Sequence, residues 1–417
     1  MGSQETSLEL LSVDLIINIL VKLSEKDLIR CKCVSKEWHR IITHVCVPRL
    51  SVEAPVSGVY FRIAQLPGSL GHLTTYSPQK VKKLLFDHIK SDDSVHIMDG
   101  APLKDEKSGF EGMSYASILP FDHRGPDFLD CCNGLLLFVH RPKPRFYVCN
   151  PAIKQCVPIP LPPPTLHLPS LYASLAFDPS ESIHYRIVIL SLTTQPQYLL
   201  IFCSQTGEWM THEVQVRLPV PYECFRMVRH CVYFKGMLYR LSLPDKILCI
   251  DLESKTIHII ASPDERNISL PRGCFGVLAG SLSYAKREYG HLWVWLLDNH
   301  SKQGEWILKY KIAFSHIYEL ALSLYFATFT IWIHTFAFHP KSNIIFLGSA
   351  RSLMMYDLSS GHMELVQSNA ISDIHCGSLF SLFTYRHTLI TLKSWCRTPN
   401  DLDNSEEVQD DWCFTEQ

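Results

Sequence analysis

The sequence predicts a chain in two parts: a small bundle of three helices, then an all-β propeller of about six blades, with seven or eight left open. Two patterns predict it. Between residues 8 and 42 apolar residues recur three and four apart, the spacing of amphipathic helices. From residue 59 onward short apolar and aromatic runs alternate with turns, in units of roughly 35 to 50 residues. With 417 residues, 47% of them hydrophobic and 19% charged, the chain has material for one large core beside the helical start.

The helical stripe runs through Leu11, Leu15, Ile19, Leu20 and Leu23, and then through Leu28, Cys31, Val34, Trp38, Ile41 and Ile42. Ser12 stands where an N-cap accepts a backbone N–H, and Asp14 in the first turn suits the positive end of the helix dipole. Ser24, three residues before Asp27, offers a second start. Helices this short enclose no core of their own, since chains below roughly 40 residues need a metal, disulfides or a partner. The stripe therefore needs a cover, either the rest of this chain or another protein.

At these residues the sequence resembles the F-box. The family pattern is met by Leu11, Asp14, Leu15, Ile19, Leu20, Leu23, Asp27, Leu28, Arg30, Val34, Ser35, Lys36 and Trp38, with Ser12 standing where the family usually has proline. The resemblance implies a docking module for a Skp-type adaptor, which links to a cullin and a RING protein in an SCF ubiquitin ligase. It implies Leu11, Leu15, Ile19, Leu20, Leu23, Leu28, Val34 and Trp38 as the anchors that bind the adaptor, Trp38 among them as a hot spot.

Composition narrows the function classes. A net charge of −2 gives no global pull toward nucleic acid or anionic lipid. The opening MGSQETSLELLSVD lacks the basic and apolar regions of a signal peptide, so the cytoplasm or nucleus is expected. In that reducing setting the fifteen cysteines read as small buried residues rather than a disulfide framework, and the sequons at Asn267 and Asn299 stay silent. Met1-Gly2 touches the myristoylation pattern only at its edges. The apolar run from Leu320 to Phe338 is long enough to span a bilayer as a helix, but its threonines, its aromatics, Ile331, Ile333 and His334 favour buried strands.

Taken in order, residues 8–47 form the helical module, and 48–58, with Pro48, Pro55 and Gly58, read as a connector. The β domain covers 59–396. VYFRIA and HLTTYS open it, KVKKLLFDHI fits either structure, and residues 79–120 can hide a further blade. Then LLLFV, RFYVCNP and CVPIP begin a series of strands that closes with GSLFSLF and LITLKSW. The unit ends in strand–turn–strand, as in IDLESKTIHII and YDLSSGHMELV, which suits a propeller blade better than a β-sandwich. The acidic tail, 397–417, reads as disordered and solvated, or as a contact for a basic partner.

Within this β series a second resemblance, to the plant F-box-associated domain and its kelch-like propeller, rests on Cys132, Asn133, Gly134, Leu135, Leu136, Asn150, Pro151 and Lys154. Read physically, Asn133-Gly134 tolerates positive φ in a tight turn and Asn150-Pro151 starts another. These are scaffold signals that leave the ligand open.

Catalytic and metal patterns are missing: there is no C-x-x-C, H-E-x-x-H, G-x-S-x-G, G-x-G-x-x-G or P-loop. The missing motifs suit a non-catalytic chain without cofactors, and the two resemblances imply the substrate-recognition subunit of an SCF-type ligase, whose propeller binds an unidentified target protein. The alternative is a non-ligase F-box adaptor that assembles a regulatory complex. A propeller enzyme remains a third class and needs acids or histidines converging at the central channel.

Overall fold

The computed structural model of the chain describes residues 12–54, 56–64, 126–140, 145–163, 173–192, 196–216, 226–243, 246–263, 273–298, 304–324, 334–349, 352–368 and 379–395. Three helices, α1 (Val13–Leu20), α2 (Glu25–Cys31) and α3 (Lys36–Ile41), come first. Each is started by a serine. Ser12, Ser24 and Ser35 accept hydrogen bonds from the backbone N–H of Leu15, Asp27 and Trp38 at 3.3, 3.2 and 3.1 Å.

The helical region does not stop after three. A π-helical turn, Ile42–Cys46, leads into α4 (Val47–Glu53), so most of the stretch expected as a connector is helix. Pro48 explains the difference, because it sits in the first turn of α4, where a missing N–H breaks nothing.

After β1 (Val56–Ala64) come five antiparallel four-stranded blades, each ordered as in the sequence. Blade one is β2 (Pro126–Cys132), β3 (Leu135–His140), β4 (Arg145–Asn150) and β5 (Gln155–Pro158). Blade two is β6 (Ser174–Ala176), β7 (Arg186–Ser191), β8 (Gln197–Cys203) and β9 (Glu208–Val214). Blade three is β10 (Arg226–Phe234), β11 (Met237–Leu243), β12 (Lys246–Asp251) and β13 (Ile257–Ala261). Blade four is β14 (Gly273–Leu278), β15 (Ser281–Glu288), β16 (His291–Leu297) and β17 (Trp306–Ala313), followed by α5 (Phe314–Leu324). Blade five is β18 (His334–Phe338), β19 (Ile344–Ser349), β20 (Ser352–Asp357) and β21 (Met363–Ser368), after which β22 (Leu379–Arg386) pairs with β1.

Five four-stranded blades among the described residues correct the expected count of about six. Among the described residues the first and last strands, β1 and β22, pair only with each other, and this two-stranded sheet is not a full blade. Around the ring β2, β6, β10, β14, β18 and β22 touch in turn, so the β1–β22 ribbon fills the gap between blades five and one. HLTTYS and residues 79–120 lie outside the described residues.

The repeat has a local cause. Asp251 accepts through Oδ1 from the backbone N–H of Glu253 and Ser254, and Asp357 does the same for Ser359 and Ser360. These side-chain turns close the hairpins β12–β13 and β20–β21.

Closure is built from distant residues. Asn150 starts the 3₁₀ turn at Pro151 by accepting from Ala152 N–H, and its amide donates to Thr388 O at 2.9 Å and Ile390 O at 2.8 Å. Gln155 holds the same segment by donating to Leu392 O and accepting from Leu392 N–H. LITLKSW, expected as a strand, is therefore a strap of irregular backbone held mainly by side chains. The carbonyls of Thr388, Ile390 and Leu392 and the N–H groups of Ile390 and Leu392 thus find partners without a ladder.

Two further expectations change. Residues 320–324 belong to α5, which buries Phe314, Ile317 and Ala321 in a core shared with blades four and five. Strand-favouring residues cluster beyond it, and β18 does begin at His334. No helix among the described residues is long and apolar enough to cross a membrane. Cys149 and Cys156, opposite each other in β4 and β5, form a disulfide, whereas nine other described cysteines are free.

Candidate docking surface

One apolar cluster joins the helices to the propeller. Leu20, Leu28, Ile41, Ile42, Cys46 and Val47 are buried in the same core as Leu129, Leu135 and Phe146 of blade one and Leu389, Ile390 and Leu392 of the strap. Polar ties reinforce it. Ser51 and Thr388 hydroxyls lie 2.9 Å apart, and Glu25 Oε1 meets His387 Nδ1 at 2.9 Å. Lys341, in the β18–β19 turn, donates Nζ to Val52 O and, at 3.2 Å, to Ala54 O, capping the carbonyl end of α4. The helices thus sit on the ring face where the first strand of each blade ends.

His339 belongs to this junction. Its Nδ1 accepts from the backbone N–H of Lys341 and Ser342, while burial first, then the Lys341 and Arg386 charges, lower its pKa to about 4. An unfolded histidine titrates near 6.5, so below that pH the unfolded chain takes up a proton that folded His339 refuses. The stability tied to its neutral form is complete above about pH 6.5 and is lost as pH falls toward 4. His339→Asn, which keeps an acceptor and does not titrate, is expected to lose less stability than the parent over that interval. The slope difference is at most ~1.4 kcal/mol per pH unit, less after solvent screening, and urea melts at pH 7 and 5 measure it.

With one face sealed, the helices remain apolar on another. α1 turns Ile16, Ile17 and Leu20 toward the core, with Val21 just after it, while Val13, Leu15 and Ile19 face outward. Leu15 is 45% and Ile19 49% exposed, one turn apart on the same side of the helix. Ile29 on α2 and Val34 in the following turn, the latter 61% exposed, continue the exposed apolar set. Single exposed apolar residues are ordinary, but this many on one short module whose core face is already buried make this face the candidate docking surface.

The eight expected anchors therefore divide. Leu15, Ile19 and Val34 are exposed; Leu23 and Trp38 are half-buried against the shared core; Leu20 and Leu28 lie inside it. Leu11 lies outside the described residues. Leu20 and Leu28 shape the module from within, because the three-to-four spacing carries both the inner and the outer stripe. Val13 and Ile29, exposed on the same helices, stand outside the expected set. Their signal was present as apolar positions on the outward side of the same helices.

The signature residues of the β domain prove structural. Asn133 and Gly134 take φ of 45° and 92° in the β2–β3 turn, and Asn133 Nδ2 donates to Phe177 O at 2.7 Å across to blade two. Lys154 adopts the left-handed conformation that ends the 3₁₀ turn. No cluster of metal-ligating side chains occurs among the described residues.

A helical module with an outward apolar face, mounted on a β-propeller, defines the class of propeller-bearing F-box proteins. The F-box domain model matches residues 8–50, and the model described as "F-box protein At3g26010-like, beta-propeller" matches residues 113–394, so the chain belongs to that family. Among its Arabidopsis thaliana relatives, F-box protein At5g03970 is 24% identical over 58% of this chain and 59% of its own length. F-box protein At5g07610 is 24% identical over 72% of this chain and 69% of its own, and F-box protein At1g30790 is 22% identical over 70% and 73%. The chain thus spans less than two thirds of the first of these relatives.

Solved structures give remote likenesses only. "YCF48 bound to D1 peptide" aligns with a TM-score of 0.36 at 13% identity, covering 59% of this chain and 68% of that one. TolB from Acinetobacter baumannii aligns at 0.32 and 10% identity, covering 57% and 53%.

Proposed function

We propose that this chain is the substrate-recognition subunit of an SCF-type ubiquitin ligase. The F-box, residues 8–47, docks a Skp-type adaptor and through it a cullin and a RING protein, while the propeller, 59–396, holds a target protein. The work is done in the cytoplasm or nucleus, and neither nucleic acid nor membrane is a partner. The observation that carries this reading is the outward pair Leu15 and Ile19 on a module whose opposite face is sealed to the propeller.

The chemistry supplied is proximity. Holding a target lysine near the charged ubiquitin carrier raises effective concentration without adding a reacting group. The hydrogen-bonded junction at Ser51, Glu25 and Lys341 supports that role, because a mount tied at several points favours one distance between target and carrier. Reconstitution tests it. The full chain should form a stoichiometric complex with a Skp-type adaptor, cullin and RING protein, and a target captured from extract should become ubiquitinated only in its presence. Adaptor binding without ubiquitin transfer to any captured protein would favour the non-ligase adaptor instead.

A further inference from the structure

We propose that the outer edge of blade four, β17 with the tryptophan face beside it, docks an extended acidic segment of the target protein; the word target rests on the receptor reading above. In its sheet β17 pairs only with β16, so its outward row of backbone N–H and C=O groups has no strand partner among the described residues. Such an edge can take an added strand, whose main chain supplies affinity while alternate side chains supply choice.

Among the outer strands β17 is distinct. It has eight residues, against four in β5, seven in β9, five in β13 and six in β21. It carries Lys309 and Lys311 and no acid, whereas β9 carries Glu208 and Glu213 and β21 carries Glu364. Ile307 and Leu308 are 56% and 43% exposed, so the same strand offers apolar contact.

Aromatic rings hold the charges in place. Lys311 Nζ lies 4.5 Å from the centre of the Trp293 ring, which stacks on Trp295 at 6.0 Å and 11°, and Lys309 Nζ lies 5.6 Å from that of Tyr310. Neither lysine has a carboxylate partner among the described residues. The β16–β17 register shifts between Val294, opposite Tyr310, and Trp295, opposite Leu308, so Lys309 is the unpaired residue of a bulge. Bulges re-aim side chains. Two lysines with no carboxylate partner among the described residues, beside exposed apolar groups on an edge strand, fit a strand bearing glutamate or aspartate between β-branched residues.

Edge lysines also occur as guards that block pairing, and the experiment separates the two roles. A random dodecapeptide library displayed on phage is panned against the full chain and against Lys309→Glu/Lys311→Glu, both checked by thermal melting and by capture of a Skp-type adaptor. The parent should select peptides rich in Asp and Glu among Val, Ile and Thr. The variant should bind those peptides at least about tenfold more weakly and select basic ones. With the parent alone, rising salt should weaken the selected peptides and leave adaptor capture intact.

Absence of acidic enrichment, or the same peptides selected by both chains, overturns the proposal. So does acidic selection that emerges only when the carboxylates of residues 401–411 are neutralised, which would make this chain's own acidic run the occupant. Self-association of Lys309→Ser/Lys311→Ser with acidic peptides still bound would mark the lysines as guards. Adaptor capture is read on the same samples, so its loss counts against the receptor reading and not against the strip.

Discussion

Replacing Leu15 and Ile19 together with aspartate is expected to remove capture of a Skp-type adaptor and to leave the chain folded. Both side chains point outward, and exposed substitutions cost little in the folded state, usually within about 0.5 kcal/mol each. In a complex each would replace an apolar anchor by a carboxylate that must give up its water. Losing central anchors costs roughly 2–4 kcal/mol apiece, so affinity should fall by about a thousandfold or more, at about 1.4 kcal/mol per factor of ten. Leu20→Asp makes the contrast. It places a charge in the core shared with blade one, so it lowers stability and binding together and cannot separate them. Adaptor capture alongside a urea melt distinguishes the two variants.

Gly134→Ala is expected to be the most damaging small change in the propeller. Gly134 has φ of 92°, and an added Cβ would run into Arg386 O and lie 2.8 Å from Thr388 Cγ2, where the strap leaves β22. The conformational cost is roughly 1–2 kcal/mol, and overpacking against backbone that cannot swing aside adds about 1–3 more. Gly236 supplies the control. Its φ is 78° in the β10–β11 turn, but nothing lies within 4 Å of where a Cβ would stand. Gly236→Ala should therefore show the conformational cost alone. The gap between the two urea midpoints measures the closing contact, and equal midpoints would deny it.

What could be read from the sequence was local. Ser12 and Ser24 act on residues three ahead, the turns at Asp251 and Asp357 on residues two and three ahead, and Asn133-Gly134 on its own backbone. Features that join distant parts left no such trace. Asn150 announced a turn, but nothing near it announced Ile390, and nothing near Ser51 announced Thr388. Pro48 misled because a proline opening a helix and a proline breaking one look alike until the neighbouring turns are known. The blade count failed for a related reason, since pairing of the first and last strands does not reveal how many strands the closing sheet holds. The candidate docking surface was legible as an apolar stripe. Its division into an inner and an outer half required knowing what the propeller covers.

That division is tested most directly by amide hydrogen exchange on the full chain with and without a Skp-type adaptor. Adaptor binding should slow exchange within residues 13–19 and 29–34, and leave 47–54 and 387–392 as slow as they already are against the propeller. Protection that appears instead at 47–54 and 387–392, or no change in residues 13–34, would contradict a module sealed on one side and open on the other.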